Sequence, residues 1–215
     1  MEGGRESASY VGSGGQPSVG AGSFPPILVV GGFLGSGKTT FLLGFAHWLT
    51  DRGRRIGILV NEAGAVDVDG AVLAAEGHRV QELFGGCACC SLVGDLRPAV
   101  EALRDWGAEL LLVEPSGMAD LARLAGLLGS RVAVVAIVDV PRLGVIARAA
   151  PRLVGAGVAR ADLVLLNKMD IASDDDRNAA GRWLDEVAPD CPRREVSADT
   201  GVPDQVWEEV LRLLD

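Results

Sequence analysis

Residues Gly32-Phe-Leu-Gly-Ser-Gly-Lys38-Thr39 satisfy the pattern GxxxxGK[ST] completely. Closely spaced glycines let backbone N–H groups converge on phosphate oxygens, and a helix opening at the lysine adds positive potential. In that pattern Lys38 reaches the β- and γ-phosphates of a nucleoside triphosphate, and the Thr39 hydroxyl ligates Mg2+. The candidate phosphate contacts are Gly35, Ser36, Gly37, Lys38, Thr39 and Thr40. A plain Gly-rich turn is the bland alternative. The apolar run Ile27–Val30 before the motif and the helical pattern after it supply the context that phosphate binding needs.

A second chemical feature is Asn167-Lys168-Met169-Asp170, which follows the apolar run Leu163–Leu166. It fits NKxD, a guanine-reading pattern. A carboxylate accepts two hydrogen bonds, matching the N1–H and N2 amine of guanine. Adenine would leave it unpaired. The Lys168 stem is expected to lie over the purine, and Asn167 to bond the base edge and tie loops together. Ser197-Ala198 follows the next short strand and reads as a supporting base-binding loop.

A third strand, Leu110–Val113, ends in Glu114-Pro-Ser-Gly117. A carboxylate there would hold Mg2+ through water, and the Gly117 N–H would approach the γ-phosphate and sense its loss. Lys38, Glu114 and Gly117 are the candidate catalytic groups. No side chain offers itself as a conventional general base, so turnover would rest on positioning and electrostatics. Asn61-Glu62-Ala-Gly64 reads as a switch loop, with Glu62 ordering a water, binding Mg2+ or touching a second metal.

Cys87-Ala-Cys89-Cys90 is a compact thiol cluster. In an extended stretch Cys87 and Cys89 share a side, and Cys90 opens a helix whose N-terminus lowers a thiol pKa. Thiolates bind Zn2+, Cu(I) or Co2+. Three sulfurs leave a fourth position open, as transfer requires. A packed reduced group or a redox pair are the other readings. Cys191 reads as structural, and His47 as packing rather than as a ligand.

These loops need strands and helices to hold them. Apolar runs at 27–31, 56–61, 109–114, 132–139, 163–167 and 195–196 alternate with helical patterns near 38–51, 91–106, 119–128, 142–150, 174–187 and 203–214. Runs apolar at successive positions suit strands covered on both faces. The expected fold is α/β: a doubly wound, mainly parallel sheet flanked by helices. Residues 1–24, with seven Gly and five Ser, read as a flexible tail, and 25–215 as one nucleotide-binding domain.

Of 215 residues, 20 are Lys or Arg and 29 are Asp or Glu, giving a net charge of −9. That balance argues against a general nucleic-acid binder. No apolar run approaches the ~18 residues that span a bilayer, and no signal peptide is evident. With the thiol cluster, this points to a cytoplasmic protein. Eighteen of the basic residues are Arg. The two Lys, Lys38 and Lys168, fall in the two loops where a nucleotide would touch the chain.

Together GGFLGSGKTT, NEAG, GCACC, VEPSG and NKMD closely resemble the CobW-like P-loop GTPases, relatives of the HypB and UreG metallochaperones in the SIMIBI class. The resemblance spans residues 26–214. It implies a P-loop NTPase fold and slow GTP hydrolysis, with GTP/GDP and Mg2+ as ligands. By it Cys87, Cys89 and Cys90 form a Zn2+ or Co2+ motif with Glu62 nearby, and a nucleotide-dependent homodimer is expected. The implied function is nucleotide-gated metal binding and transfer to a metal-requiring client. The alternative is a GTPase switch that helps load or reactivate a corrinoid-dependent enzyme, with the Cys motif structural. Family members usually carry a second C-terminal domain and often a His-rich stretch. This sequence has two His and reads Ala where an aromatic usually follows the Glu of NEAG. The client-docking domain is therefore expected to be missing or supplied by another polypeptide.

Overall fold

The computed structural model describes residues 24–60, 79–82, 92–116, 121–128 and 131–215. Its strands are β1 (Ile27–Gly32), β2 (Ile56–Val60), β3 (Arg79–Glu82), β4 (Leu110–Glu114), β5 (Val132–Asp139), β6 (Leu163–Asn167) and β7 (Arg193–Glu195). They form one sheet in the order β3-β2-β4-β1-β5-β6-β7. Every pairing is parallel. The central strand β1 lies between β4 and β5, so Val29 is flanked by Val113 and Val134. Parallel neighbours require crossovers, and helices supply them: α1 (Lys38–Thr50), α2 (Leu92–Trp106), α3 (Leu121–Leu128), α4 (Leu143–Ala149), α5 (Pro151–Ala159), α6 (Asp174–Val187) and α7 (Asp204–Arg212).

Side chains alternate across the sheet, and the alternation divides the core. Leu28 and Val30 of β1 face one layer with α1 and α7, while Ile27 and Val29 face the other with α2 and α3. On β5 and β6, Ala136, Val138 and Leu166 pack against α4, α5 and α6. Helix α1 buries Phe41, Leu42, Phe45, Ala46, Trp48 and Leu49 in one cluster with the sheet and with α7. Trp207 of α7 stacks against Phe45 at 5.5 Å between ring centroids and lies 4.7 Å from Phe41. Trp48 donates its indole N–H to Asp204 at 3.0 Å. The phosphate-loop helix is thus supported from behind by aromatic packing worth more than its area alone.

The doubly wound parallel architecture agrees with the expectation from sequence, with local differences. Strand β3 was missing from the expected set because Arg79-Val-Gln-Glu82 holds one large apolar residue, enough for an edge strand but too little for a pattern. The last strand is Arg193–Glu195 rather than 195–196. Its side chains are exposed at the other sheet edge, and buried Val196 follows it. The helix expected at 142–150 is present as α4, and a further helix, α5, follows it outside the expected set: Ala150 leaves the helical region at φ −140, and Pro151 opens α5, where its missing N–H costs nothing. His47, expected to pack, is exposed in the last turn of α1. Among the described residues no helix is long and apolar enough to cross a membrane.

Candidate functional site

All strands run the same way, so their C-terminal ends share one sheet edge. Along it the apolar runs close on polar groups: Glu114 on β4, Asp139 on β5 and Asn167 on β6. Each is buried, 2–3% exposed. The strand order reverses at β1, and in open parallel sheets that reversal opens a crevice beyond the strand ends. A cleft of about 400 Å3 lies there, lined by Gly35, Gly37, Lys38, Thr39, Thr40, Glu114, Asn167, Lys168, Asp170 and Ala198.

The loop between β1 and α1 can take its shape because of glycine. Gly37 has φ 99, and a Cβ there would collide with Nδ2 of Asn167. Helix α1 then starts at Lys38 with no side-chain cap, so its first-turn N–H groups face the cleft end without helical acceptors. Ser36 is fully buried and its own N–H turns back to the Phe33 carbonyl at 3.0 Å.

Lys38 and Thr39 meet Glu114 on one side of the cleft. The Thr39 hydroxyl donates to Glu114 Oε1 at 2.9 Å, and Lys38 Nζ lies 3.9 Å from the same oxygen. Lys38 also donates to the Phe33 carbonyl at 3.4 Å. A hydroxyl and a carboxylate side by side are hard oxygen donors, the set that Mg2+ takes.

Asn167 ties three loops on the other side. Its Nδ2 donates to the Ser36 carbonyl at 2.8 Å, and its Oδ1 accepts the Ala198 N–H at 2.9 Å. Lys168 follows in a left-handed conformation, φ 65. Its ammonium donates to the Gly35 carbonyl at 2.8 Å and to Asp139 Oδ2 at 2.7 Å. Its head is thereby fixed beside the phosphate loop while its stem walls the cleft. The Asp170 N–H donates to Ser197 Oγ at 3.0 Å, and the Met169 N–H to the Val196 carbonyl at 3.2 Å. These bonds set the turn at 167–170 against the loop at 197–201 and leave the Asp170 side chain at the cleft wall.

The model of the CobW/HypB/UreG nucleotide-binding domain matches residues 26–193. The chain belongs to that family. It is 33% identical over 174 residues to the zinc chaperone YeiR of Escherichia coli, an alignment covering 75% of this chain and 52% of YeiR. It is 39% identical over 107 residues to the zinc chaperone CobW of Pseudomonas aeruginosa, covering 44% of this chain and 28% of that protein. The chain therefore spans about half of YeiR or less of its curated relatives. Among solved structures, the hydrogenase maturation factor HypB of Archaeoglobus fulgidus superposes with a TM-score of 0.66 at 19% identity, covering 89% of this chain and 91% of HypB. HypB of Helicobacter pylori in complex with nickel gives 0.62 at 18% identity, covering 89% and 86%. At these identities the superpositions establish the P-loop NTPase fold alone.

Sequence-predicted residues of this CobW/HypB/UreG domain divide into two groups. Gly35, Ser36, Gly37, Lys38, Thr39, Thr40, Glu114, Asn167, Lys168, Asp170, Ser197 and Ala198 come together around one cleft. Glu62, Cys87, Cys89, Cys90 and Gly117 lie outside the described residues. Among the described residues no group of three or more His, Cys, Asp or Glu is arranged to hold a metal ion. Cys191 is half-buried, and its thiol donates to the Ala161 carbonyl at 3.2 Å. Burial first, and then the nearby Asp162 carboxylate, push that thiol above its ordinary pKa, which suits a structural, unreactive sulfur.

Sequence reasoning missed Asp139 and Arg142. Asp139 accepts from both Lys168 and Arg142. Its signal was available: it closes the apolar run of β5 as Glu114 closes that of β4. Arg142, half-exposed in a turn, carried none.

Proposed function

We propose that this chain binds GTP and GDP with Mg2+ in the cleft, and uses slow GTP hydrolysis to control the binding and transfer of a thiophilic metal. The observation that carries the reading is the joining of the two loops: Asn167 of the base-reading loop donates directly to the Ser36 carbonyl of the phosphate loop. A purine read by Asp170 and phosphates held by Lys38 would then belong to one molecule. Similarity to proteins named zinc chaperones supports Zn2+ as cargo, and the thiolate chemistry of the Cys motif adds Co2+.

In this reading the first-turn N–H groups of α1 and the Lys38 ammonium hold the β- and γ-phosphates. Thr39 and Glu114 would hold Mg2+, which when bound neutralises charge on the phosphate oxygens. Asp170 accepts from the guanine edge, and Ser197 and Ala198 support the turn that carries it. Gly117 senses the γ-phosphate. Cys87, Cys89 and Cys90, with Glu62 nearby, hold the cargo metal, and a metal-requiring client receives it. A nucleotide-dependent homodimer is part of the same proposal.

The decisive measurement is Zn2+ and Co2+ affinity with GDP and with a non-hydrolysable GTP analogue. Coupling requires the two affinities to differ, because each ligand must change the other's affinity by the same factor. Equal affinities in both nucleotide states would sink metal gating. A preference of the unmodified protein for ATP over GTP would sink the guanine reading separately.

A further inference from the structure

Asp139 ends β5, the strand that lies between β1, which carries the phosphate loop, and β6, which carries the base-reading loop. Its side chain is 1% exposed. One oxygen, Oδ1, accepts the Arg142 N–H at 3.2 Å and so caps the turn leading into α4. The other, Oδ2, accepts two cations at once: Lys168 Nζ at 2.7 Å and Arg142 Nε at 2.6 Å. Each cation makes a second bond to the phosphate loop, and to adjacent carbonyls: Arg142 Nη2 to Leu34 at 2.9 Å and Lys168 Nζ to Gly35 at 2.8 Å.

We propose that Asp139 is a positioning residue that couples nucleotide-base reading to phosphate binding. It rests on the reading of the cleft as a guanine-nucleotide site. The buried carboxylate fixes the direction of both cations, and they fix the carbonyls of Leu34 and Gly35, hence the orientation of the neighbouring N–H groups. The same Oδ2 holds the Lys168 head and, through the left-handed Lys168, the turn that presents Asp170. Without the carboxylate, two cations face two carbonyls with no anion between them, and the two loops stay joined only through the Asn167 bond to the Ser36 carbonyl. Charge-assisted bonds of this kind are the strong ones, and losing them frees two part-exposed cations from the anion that aims them.

Asp139→Asn tests the coupling, because Asn keeps an acceptor for the Arg142 N–H while removing the charge. Two ratios are read by titration with GDP, GMP and ADP: the GDP:ADP ratio reports base reading, and the GDP:GMP ratio reports the β-phosphate. The expected result is that both ratios fall about tenfold in the same variant. A purely structural role would lower the melting temperature and leave both ratios within about twofold of the unmodified protein, which overturns the proposal. Arg142→Ala, on the half-exposed rim, lowers the GDP:GMP ratio through Leu34. Combined with Asp139→Asn it adds less than it does alone, since both act through one oxygen. Simple additivity overturns the coupling. Where Asp139→Asn does not fold, an unchanged GDP:GMP ratio in Arg142→Ala overturns it. Preference of the unmodified protein for ADP would defeat the guanine reading only, with coupling then scored on ADP and AMP. Binding of neither nucleotide defeats both.

Discussion

The two walls of the cleft are held by different means. On the phosphate wall Lys38 and Glu114 are 4% and 2% exposed, and their backbones belong to a helix and a central strand packed on both faces. On the base wall the Lys168 side chain is 32% exposed, and the turn at 167–170 is held by hydrogen bonds to other loops. A wall built on the core moves only if the core moves. A wall built from loop-to-loop bonds can lose one bond and change its selectivity while the fold survives. The phosphate wall should therefore govern stability and turnover, and the base wall should govern which nucleotide is bound.

The largest expected effect tests the support behind the phosphate wall. Trp207→Ala removes the ring between α1 and α7 and should cost about 3–5 kcal/mol of folding stability, read by denaturant unfolding. The guanine preference of the folded fraction should hold. A changed preference at intact stability would reverse the comparison. Next is Lys38→Ala, which should slow GTP turnover about 100-fold and, by removing a buried cation beside Glu114, also lower the melting temperature of the nucleotide-free protein. Phosphate-release kinetics and a thermal melt separate the two. Asp170→Asn should weaken GTP by about tenfold and leave the melting temperature in place, since its carboxylate faces the cleft rather than the core. Calorimetric titration with GTP and ATP checks it, and a loss shared equally by both nucleotides would contradict base reading there.

The smallest effect lies away from both walls. Ser173 caps α6 in a reciprocal box with Asp176. The Ser173 hydroxyl, and after it the Ser173 N–H, hold the Asp176 carboxyl below its ordinary value. A depressed folded-state pKa contributes stability that is complete above the unfolded value and is lost as pH falls through the folded one. Ser173→Ala should lower the melting temperature by about 2 °C at neutral pH, and the difference from the unmodified protein should shrink in acid. A difference that grows in acid would contradict the capping geometry.

Much of this was legible in the residues themselves. Gly37 and Lys38 announce a phosphate loop because their roles are local: a left-handed turn, then a helix start. The strands β1, β4 and β5 announce themselves by unbroken apolar runs, since both faces are covered. Strand β3 was not legible because an edge strand with one large apolar residue has no period to detect. Asp139 was visible as a strand end, but nothing in its neighbourhood in sequence says that Lys168 will arrive there.

The sequence by itself determined the groups available: a GxxxxGK[ST] loop, an NKxD turn, an acidic strand end, and lysine at two places in a chain that otherwise uses arginine. Tertiary structure decided how these groups meet. Gly35 and Lys168 are 133 residues apart, and Ser36 and Asn167 are 131 apart. Each pair touches because β5 alone separates β1 from β6, a lateral distance of about 10 Å that side chains can bridge. Strand order is set by which apolar faces bury each other across the whole chain. Local periodicity carries no record of it, so the buried carboxylate between the two loops became visible only in the fold.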